Sequence, residues 1–281
     1  MTTQIQLTRV SDLSQARIVS RPSKSIKSPY VADVHIEGTD EICVAHTPSL
    51  GCCGLADKDA TVIVSKIHKK NNKCKYKVIL SIFTEKNKQV VIGIDPKQAE
   101  LLAEKALANN LLSKLQNIKR YSRETTIFVE NKVDSRFDFT GIDQNNIPFI
   151  MEVKNVPLAD YEDITYNQRK HANYDDRNYD TKVAYFPDGY RKKSTDTVSP
   201  RALKHIRELT LIKRESITRC ILCFVIQRND VDRFQPSIVD PQYREAFVNA
   251  VDAGVEIITL VVSWNTDGQA CFIRDDLPIS L

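Results

Sequence analysis

The sequence predicts a small β-barrel, residues 1–95, followed by a mixed α/β domain, residues 96–281. Three observations predict it. Short β-branched runs follow one another before residue 95 with no helical period between them. The pair Asp95-Pro96 then opens the first helical pattern, and later strands alternate with helices that start on similar signals. The 281 residues suffice for two ordinary domains.

In the first part, Val31 to Ile36 alternates as a half-buried strand, Glu37-Gly38-Thr39-Asp40 turns the chain, and Glu41 to Ala45 returns. Ala60 to Ile67, Lys75 to Phe83 and Gln89 to Ile94 complete the set. In the second part, Asp95 is placed as an N-cap, Pro96 as the first helical residue and Gln98 at the capping-box position. Ala99, Leu102 and Ala106 share one face of that helix. Ser199-Pro200 and Asp240-Pro241 repeat the start signal, and Gly254 stops the last helix. Thr125 to Glu130, Ser135 to Ile142, Pro148 to Val156, Cys220 to Ile226 and Val255 to Trp264 read as strands. Asn131-Lys132 turns the first pair, and the unbroken apolar run at 220–226 predicts a strand buried on both faces. Residues 160–182 are rich in Asp, Asn, Tyr and Arg and read as a long polar insertion without order of its own.

At 42% hydrophobic and 27% charged residues the composition is that of a globular protein. The net charge of +4 permits a polyanionic partner without requiring one. No apolar run is long enough to span a bilayer, and Met1 to Val10 lacks the apolar core of a secretory signal. With seven cysteines, an odd number, the expectation is free thiols in an intracellular compartment, cytoplasmic or nuclear. Cys43, His46, Cys52, Cys53, His68 and Cys74 match no familiar zinc spacing. Cys220 and Cys223 lie inside an apolar strand pattern and read as core.

The chemistry concentrates on two strands. Phe137 and Phe139 are expected on one face, with Asp138 on the other; Met151 and Val153 are expected to share a face opposite Glu152 and Lys154. If the strands are neighbours, Asp138, Glu152 and Lys154 converge. Two carboxylates suit Mg²⁺, with Mn²⁺ as an alternative, and such an ion activates water and stabilises phosphoryl charge while a lysine offsets developing negative charge. An Asp followed after about a dozen residues by Glu-x-Lys is the PD-(D/E)xK pattern of metal-dependent nucleases. A Glu–Lys salt bridge on an exposed sheet face is the alternative reading of the same residues.

The wider text carries a resemblance. Ala32-Asp33-Val34, His46-Thr47-Pro48, Ser135-Arg136-Phe137-Asp138-Phe139, Glu152-Val153-Lys154-Asn155-Val156, Tyr185-Phe186-Pro187-Asp188, Arg201 to Leu209, Phe224-Val225-Ile226-Gln227-Arg228 and Asp240-Pro241 occur in this order. Together they resemble the sugar fermentation stimulation protein A (SfsA) family over nearly the whole chain. The resemblance implies an OB-fold domain, then a PD-(D/E)xK nuclease-like domain, and DNA binding. It matches Asp138, Glu152 and Lys154 to the nuclease core. Glu104 matches an acidic residue that joins the metal site with Asp138 and Glu152, and Gln227 a polar residue that orients water. The turn Pro48 to Cys53 departs from the family's basic turn, and the 160–182 insertion exceeds the family norm.

Two basic groups suggest nucleic-acid contacts. Lys66, Lys69, Lys70, Lys73, Lys75 and Lys77 lie in one predicted hairpin, with Tyr76 for stacking, although a solvated hairpin would look the same. Arg191, Lys192, Lys193, Arg201, Lys204, His205 and Arg207 form the second group, with Arg201, Lys204, His205 and Glu208 expected on the polar side of their helix. His205 reads as a phosphate contact or a support for the site, with proton transfer as the alternative. Two functions are consistent with these residues. One is a metal-dependent nuclease on DNA, single-stranded or structured, with RNA as another substrate class. The other is a non-catalytic DNA-binding regulator of sugar-metabolism genes.

Overall fold

The computed structural model of the chain describes residues 4–47, 54–169, 171–187 and 196–281. The turn at Pro48–Cys53 and the basic residues Arg191, Lys192 and Lys193 lie outside them.

The first part contains β1 (Ile5–Arg9), β2 (Leu13–Ser20), β3 (Val31–Ile36), β4 (Ile42–His46), β5 (Thr61–Lys66), β6 (Tyr76–Glu85) and β7 (Lys88–Gly93). β4, β3, β2, β5 and β6 pair in that order, and β4 returns to β6 through Ala45↔Tyr76 and His46↔Lys77, so the five strands close on themselves. Closure removes the sheet edges that short strands would otherwise leave open. Ala16, Ile18, Val34, Val62, Val64 and Val78 fill the interior. Asp33, expected on a half-buried strand, is buried as well. Ser20 at 2.8 Å, Ser23 at 2.6 Å and the Lys24 amide at 2.8 Å satisfy its carboxylate and hold it below the usual range, although burial alone would raise it.

The second part runs α1 (Pro96–Ala108), β8 (Arg120–Val129), β9 (Val133–Ile142), β10 (Pro148–Val156), β11 (Ala159–Asp160), α2 (Tyr166–Arg169), β12 (Lys182–Phe186), α3 (Pro200–Glu215), β13 (Arg219–Ile226), β14 (Val231–Pro236), α4 (Pro241–Asp252), β15 (Glu256–Trp264) and β16 (Gln269–Arg274). The sheet continues from the barrel as β7-β15-β13-β10-β9-β8. Its centre, β10, β13 and β15, is parallel, which is why residues 220–226 are apolar on both sides. α1 covers one face with Met151, Val153, Ile221 and Cys223; α3 and α4 cover the other with Ile150, Val156, Leu222 and Phe224. Asp95 caps α1 through Lys97 N at 3.2 Å and Asp240 caps α4 through Tyr243 N at 3.1 Å. The junction of barrel and sheet is tight at Gly93, where a Cβ would lie 2.0 Å from Gln227 Oε1.

The polar segment 160–182 is docked by polar anchors in place of an apolar stripe. Lys182, buried, pairs with Asp230 and Glu85 at 3.0 Å each and sits 3.7 Å from the centroid of the Tyr179 ring. Asp163 accepts hydrogen bonds from Gln235, Ser237 and the Ile238 amide. Lys86 donates to the carbonyls of Tyr174, Asp175 and Arg177. Composition alone predicted no such order, because each anchor comes from a distant strand or hairpin. No helix among the described residues is long and apolar enough to cross a membrane.

Candidate active site

The site forms where β9 leaves β10. Their antiparallel ladder runs from Pro148↔Ile142 to Met151↔Phe139 and stops. At the next position the side chain of Asp138 takes over, and its Oδ2 accepts from Val153 N at 2.7 Å. On β8, beside this point, Glu124 has a left-handed backbone, φ 51°. The divergence corrects one expectation. Phe137 and Phe139 do not share a face: Phe139 packs into the α1 layer and Phe137 into the α3–α4 layer, its ring 5.6 Å from that of His205. Strict alternation assumes a continuous flat ladder, which this strand does not keep.

β10 stays in register with β13 from Phe149 through Val156, so Glu152 and Lys154 are set by a strand paired without a break to its parallel neighbour. They share the face opposite Met151 and Val153, as the alternation predicted. Lys154 Nζ donates to Glu152 Oε1 at 2.5 Å. His205, reaching in from α3, donates from Nδ1 to the same oxygen. Glu152 Oε2 is buried and, among the described residues, has no hydrogen-bond partner.

The two carboxyl groups are driven apart electrically. Burial, and after it the charge of Glu152, push Asp138 up to about 7. Burial would raise Glu152 too, but Lys154 and His205 outweigh it and hold Glu152 below the usual range. At neutral pH the site therefore contains one fixed anion and one carboxyl close to its midpoint. A cation against them would favour ionisation of both. Among the described residues no group of three or more His, Cys, Asp or Glu is assembled as a metal site, so Asp138 and Glu152 stand as a pair. The pair still fits a hard divalent ion, because a buried carboxylate oxygen lacks a donor among the described residues and its neighbour is raised by burial and by the charge of Glu152.

The other predicted residues fall in different places. Glu104 accepts from Tyr121 Oη at 3.2 Å and from Arg123 at 2.7 Å. Glu100, one helical turn earlier, pairs with Arg123 at 3.3 Å. It is raised by burial first and, further down, by the charge of Glu152, and its own charge is felt by Asp138. The sequence reading passed over Glu100, and the signal available for it was its four-residue spacing from Glu104 on one helix flank. Gln227 is fully buried, and its carboxamide donates to Asn155 Oδ1 at 2.7 Å and the Asp95 carbonyl at 3.3 Å while accepting from Trp264 Nε1 at 3.0 Å. These bonds tie the barrel junction together and leave the amide turned to Asn155, on the opposite pleat from Glu152 and Lys154.

On α3, Arg201 and Lys204 are exposed, but His205 and Glu208 are buried, which corrects the expectation that all four share an outer face. The helix turns them inward because the sheet beneath it carries polar groups: His205 meets Glu152, and Glu208 accepts from Asp134 N at 3.0 Å. In the barrel hairpin, Lys66, Lys69, Lys70 and Lys73 are exposed, Lys75 pairs with Glu41 at 3.1 Å, Tyr76 is half-buried and Lys77 is held by Asp95.

A closed five-strand barrel joined to an α/β layer with carboxylates on two diverging strands defines an OB-fold protein with a nuclease-like domain. The family model described as "Sugar fermentation stimulation protein RE domain" matches residues 97–168 and 170–268, more than half of the chain, and the chain belongs to this SfsA family. The sugar fermentation stimulation protein homologue of Clostridium perfringens (strain 13) is 30% identical over 241 residues, 85% of this chain and 88% of that one. The homologue of Alteromonas mediterranea is 30% identical over 259 residues, 90% and 92% of the two chains. The structure of Pyrococcus furiosus SfsA in complex with Ca²⁺ is similar in fold, with TM-score 0.73 and 21% identity, over 99% of this chain and 100% of that one.

Proposed function

We propose that the chain binds DNA and hydrolyses its phosphodiester bonds with a divalent cation, Mg²⁺ or Mn²⁺, held by Asp138 and Glu152. One observation carries the reading: the buried Oε2 of Glu152, without a partner among the described residues, beside a second carboxyl that burial and then the charge of Glu152 raise to about 7. The Pyrococcus furiosus relative, solved with Ca²⁺, agrees with a hard cation in this family. When bound, the ion supplies positive charge to phosphoryl oxygens and acidifies water.

The chain's own residues do the rest. Lys154 and His205 fix one rotamer of Glu152 by bonding to the same oxygen, which leaves Oε2 as the free ligand atom. Lys154 carries the charge that offsets a developing phosphorane oxyanion. Without a cation Asp138 releases its proton near 7, so metal binding competes with that proton at lower pH. Glu100 adds negative field from α1. The exposed Lys66, Lys69, Lys70 and Lys73 give the barrel an electrostatic track for a single strand. We place the protein inside the cell, in keeping with the five described cysteines, all unpaired and buried.

The test is incubation with single-stranded, duplex and branched DNA and with RNA, in Mg²⁺, Mn²⁺ or EDTA, beside Asp138→Ala and Lys154→Ala. The reading expects metal-dependent cutting of at least one DNA substrate, abolished in both variants. Salt-sensitive binding that survives both substitutions, with no cutting in any metal, would establish the regulatory alternative instead.

A further inference from the structure

Beside the carboxylates, a cleft of about 440 Å³ separates β9 from the start of α3. Ser135, Arg136, Pro200, Arg201, Lys204 and His205 line it, together with Asp134. We infer that this cleft is a phosphate site, built to hold the phosphate next to the scissile one. The position on the strand rests on the nuclease reading; the binding of phosphate does not.

Three independent features converge there. The first is an open helix N-terminus. Ser199 gives α3 no side-chain cap, Pro200 has no amide hydrogen and Leu203 N donates to the Ser199 carbonyl, so the amides of Arg201 and Ala202 are the ones left for an acceptor in the cleft. The second is an unused donor. Ser135 is 6% exposed, lines the cleft, and its hydroxyl is buried with no partner. A hydroxyl buried without a partner is unfavourable unless something completes it, and an anion's oxygen would. The third is charge. Arg201 is exposed, and among the described residues it has no ion-pair partner. Arg136 is tied to Glu124 at 3.4 Å, and Lys204 to the Asp134 carbonyl and, at 3.6 Å, to Glu208. Arg201 is therefore the cation best placed to give a planar, two-pronged contact to phosphate.

His205 links the two sites. Its Nδ1 holds Glu152 while its side chain also forms part of the cleft wall. A phosphate in the cleft would thus sit one side chain, His205, away from Glu152.

The experiment is calorimetric titration of the full chain with inorganic phosphate at constant ionic strength in EDTA, repeated for Arg201→Ala, Arg201→Lys and Ser135→Ala. Binding without metal is expected, weakened roughly tenfold in Arg201→Ala, partly restored in Arg201→Lys and weakened roughly threefold in Ser135→Ala. Mn²⁺ affinity, measured on the same variants, should stay unchanged. No phosphate binding at millimolar concentration, or equal binding by Arg201→Ala and the native chain, overturns the inference. Phosphate binding in a protein that cuts no substrate in any metal would sink the nuclease reading and leave the phosphate site standing.

Discussion

Replacing Asp138 by Asn should make the metal-free protein more stable, because burial and the charge of Glu152 disfavour the native carboxylate. Asn is nearly isosteric and keeps an oxygen to accept from Val153 N. In the folded chain Asp138 titrates at about 7 against an ordinary 3.8. An acid whose folded pKa is raised is held more tightly in its protonated form. Its ionisation therefore costs the fold nothing below about pH 4, progressively more as pH rises to 7, and a constant amount above that. The full gap corresponds to about 4 kcal/mol, and partial solvent access at this half-buried residue brings the range to about 2–4 kcal/mol. A chain of this size has an unfolding entropy of roughly 0.6 kcal/mol/K, so Asp138→Asn should melt about 3–7 °C higher at pH 8 in EDTA. The difference should fall to less than half by pH 5. Saturating Mn²⁺ should raise the native melting temperature and leave that of the variant unmoved. Differential scanning calorimetry over pH 5–8 reads all three effects. A variant that melts at or below the native protein at pH 8 would refute the claim that burial and the charge of Glu152 disfavour the Asp138 carboxylate.

Other consequences follow from the same geometry. Mn²⁺ affinity should drop as pH falls through about 7, tracking protonation of Asp138; a flat titration from pH 8 to pH 6 would speak against that carboxyl as a ligand. His205→Ala removes one of the two groups that hold Glu152 low, so at pH 6.5 its Mn²⁺ affinity should be about threefold below native, a value calorimetry resolves. Gly93→Ala forces a Cβ to 2.0 Å from Gln227 Oε1 and 2.5 Å from Trp264 Nε1. It should destabilise the protein by about 3 kcal/mol, seen as an earlier denaturation midpoint with unchanged m-value. Changing Lys69, Lys70 and Lys73 to Ala together should lower the log–log salt slope of single-strand binding by about 2, while an unchanged slope would remove the hairpin from the DNA track.

How much of this was legible in the sequence depends on how local its cause was. Glu152 and Lys154 opposite Met151 and Val153 follow from the pleat of one strand, and the structure keeps that pairing. Asp95 and Asp240 cap their helices as their chemistry suggests. Gln98 illustrates the limit: it stands at the capping-box position, yet its Oε1 is buried without a partner. Ser199 likewise precedes Pro200 as a capping residue should, but makes no side-chain cap. The split of β9 from β10 was invisible, because a side chain replacing a ladder bond is a tertiary event. β1 and β16 were passed over for a similar reason. They pair across almost the whole chain, Ile5↔Phe272 to Arg9↔Gln269; β1 alternates over only Ile5-Gln6-Leu7-Thr8, and β16 runs Ala270 to Ile273 without alternation. The inward turn of His205 and Glu208 could not be read from α3 alone, since what draws them in is the polar face of a sheet assembled from other segments.

Single-turnover cleavage of end-labelled single-stranded DNA in Mg²⁺, by the native chain and by Glu152→Gln, bears most directly on the reading of Asp138 and Glu152 as a hydrolytic pair. Product that EDTA abolishes is expected, with a loss of at least about a thousandfold in the variant, as loss of a ligand to the ion that stabilises phosphoryl charge entails. Product formation equal in the native chain and in Glu152→Gln, or none above the EDTA control with any DNA substrate, would contradict it.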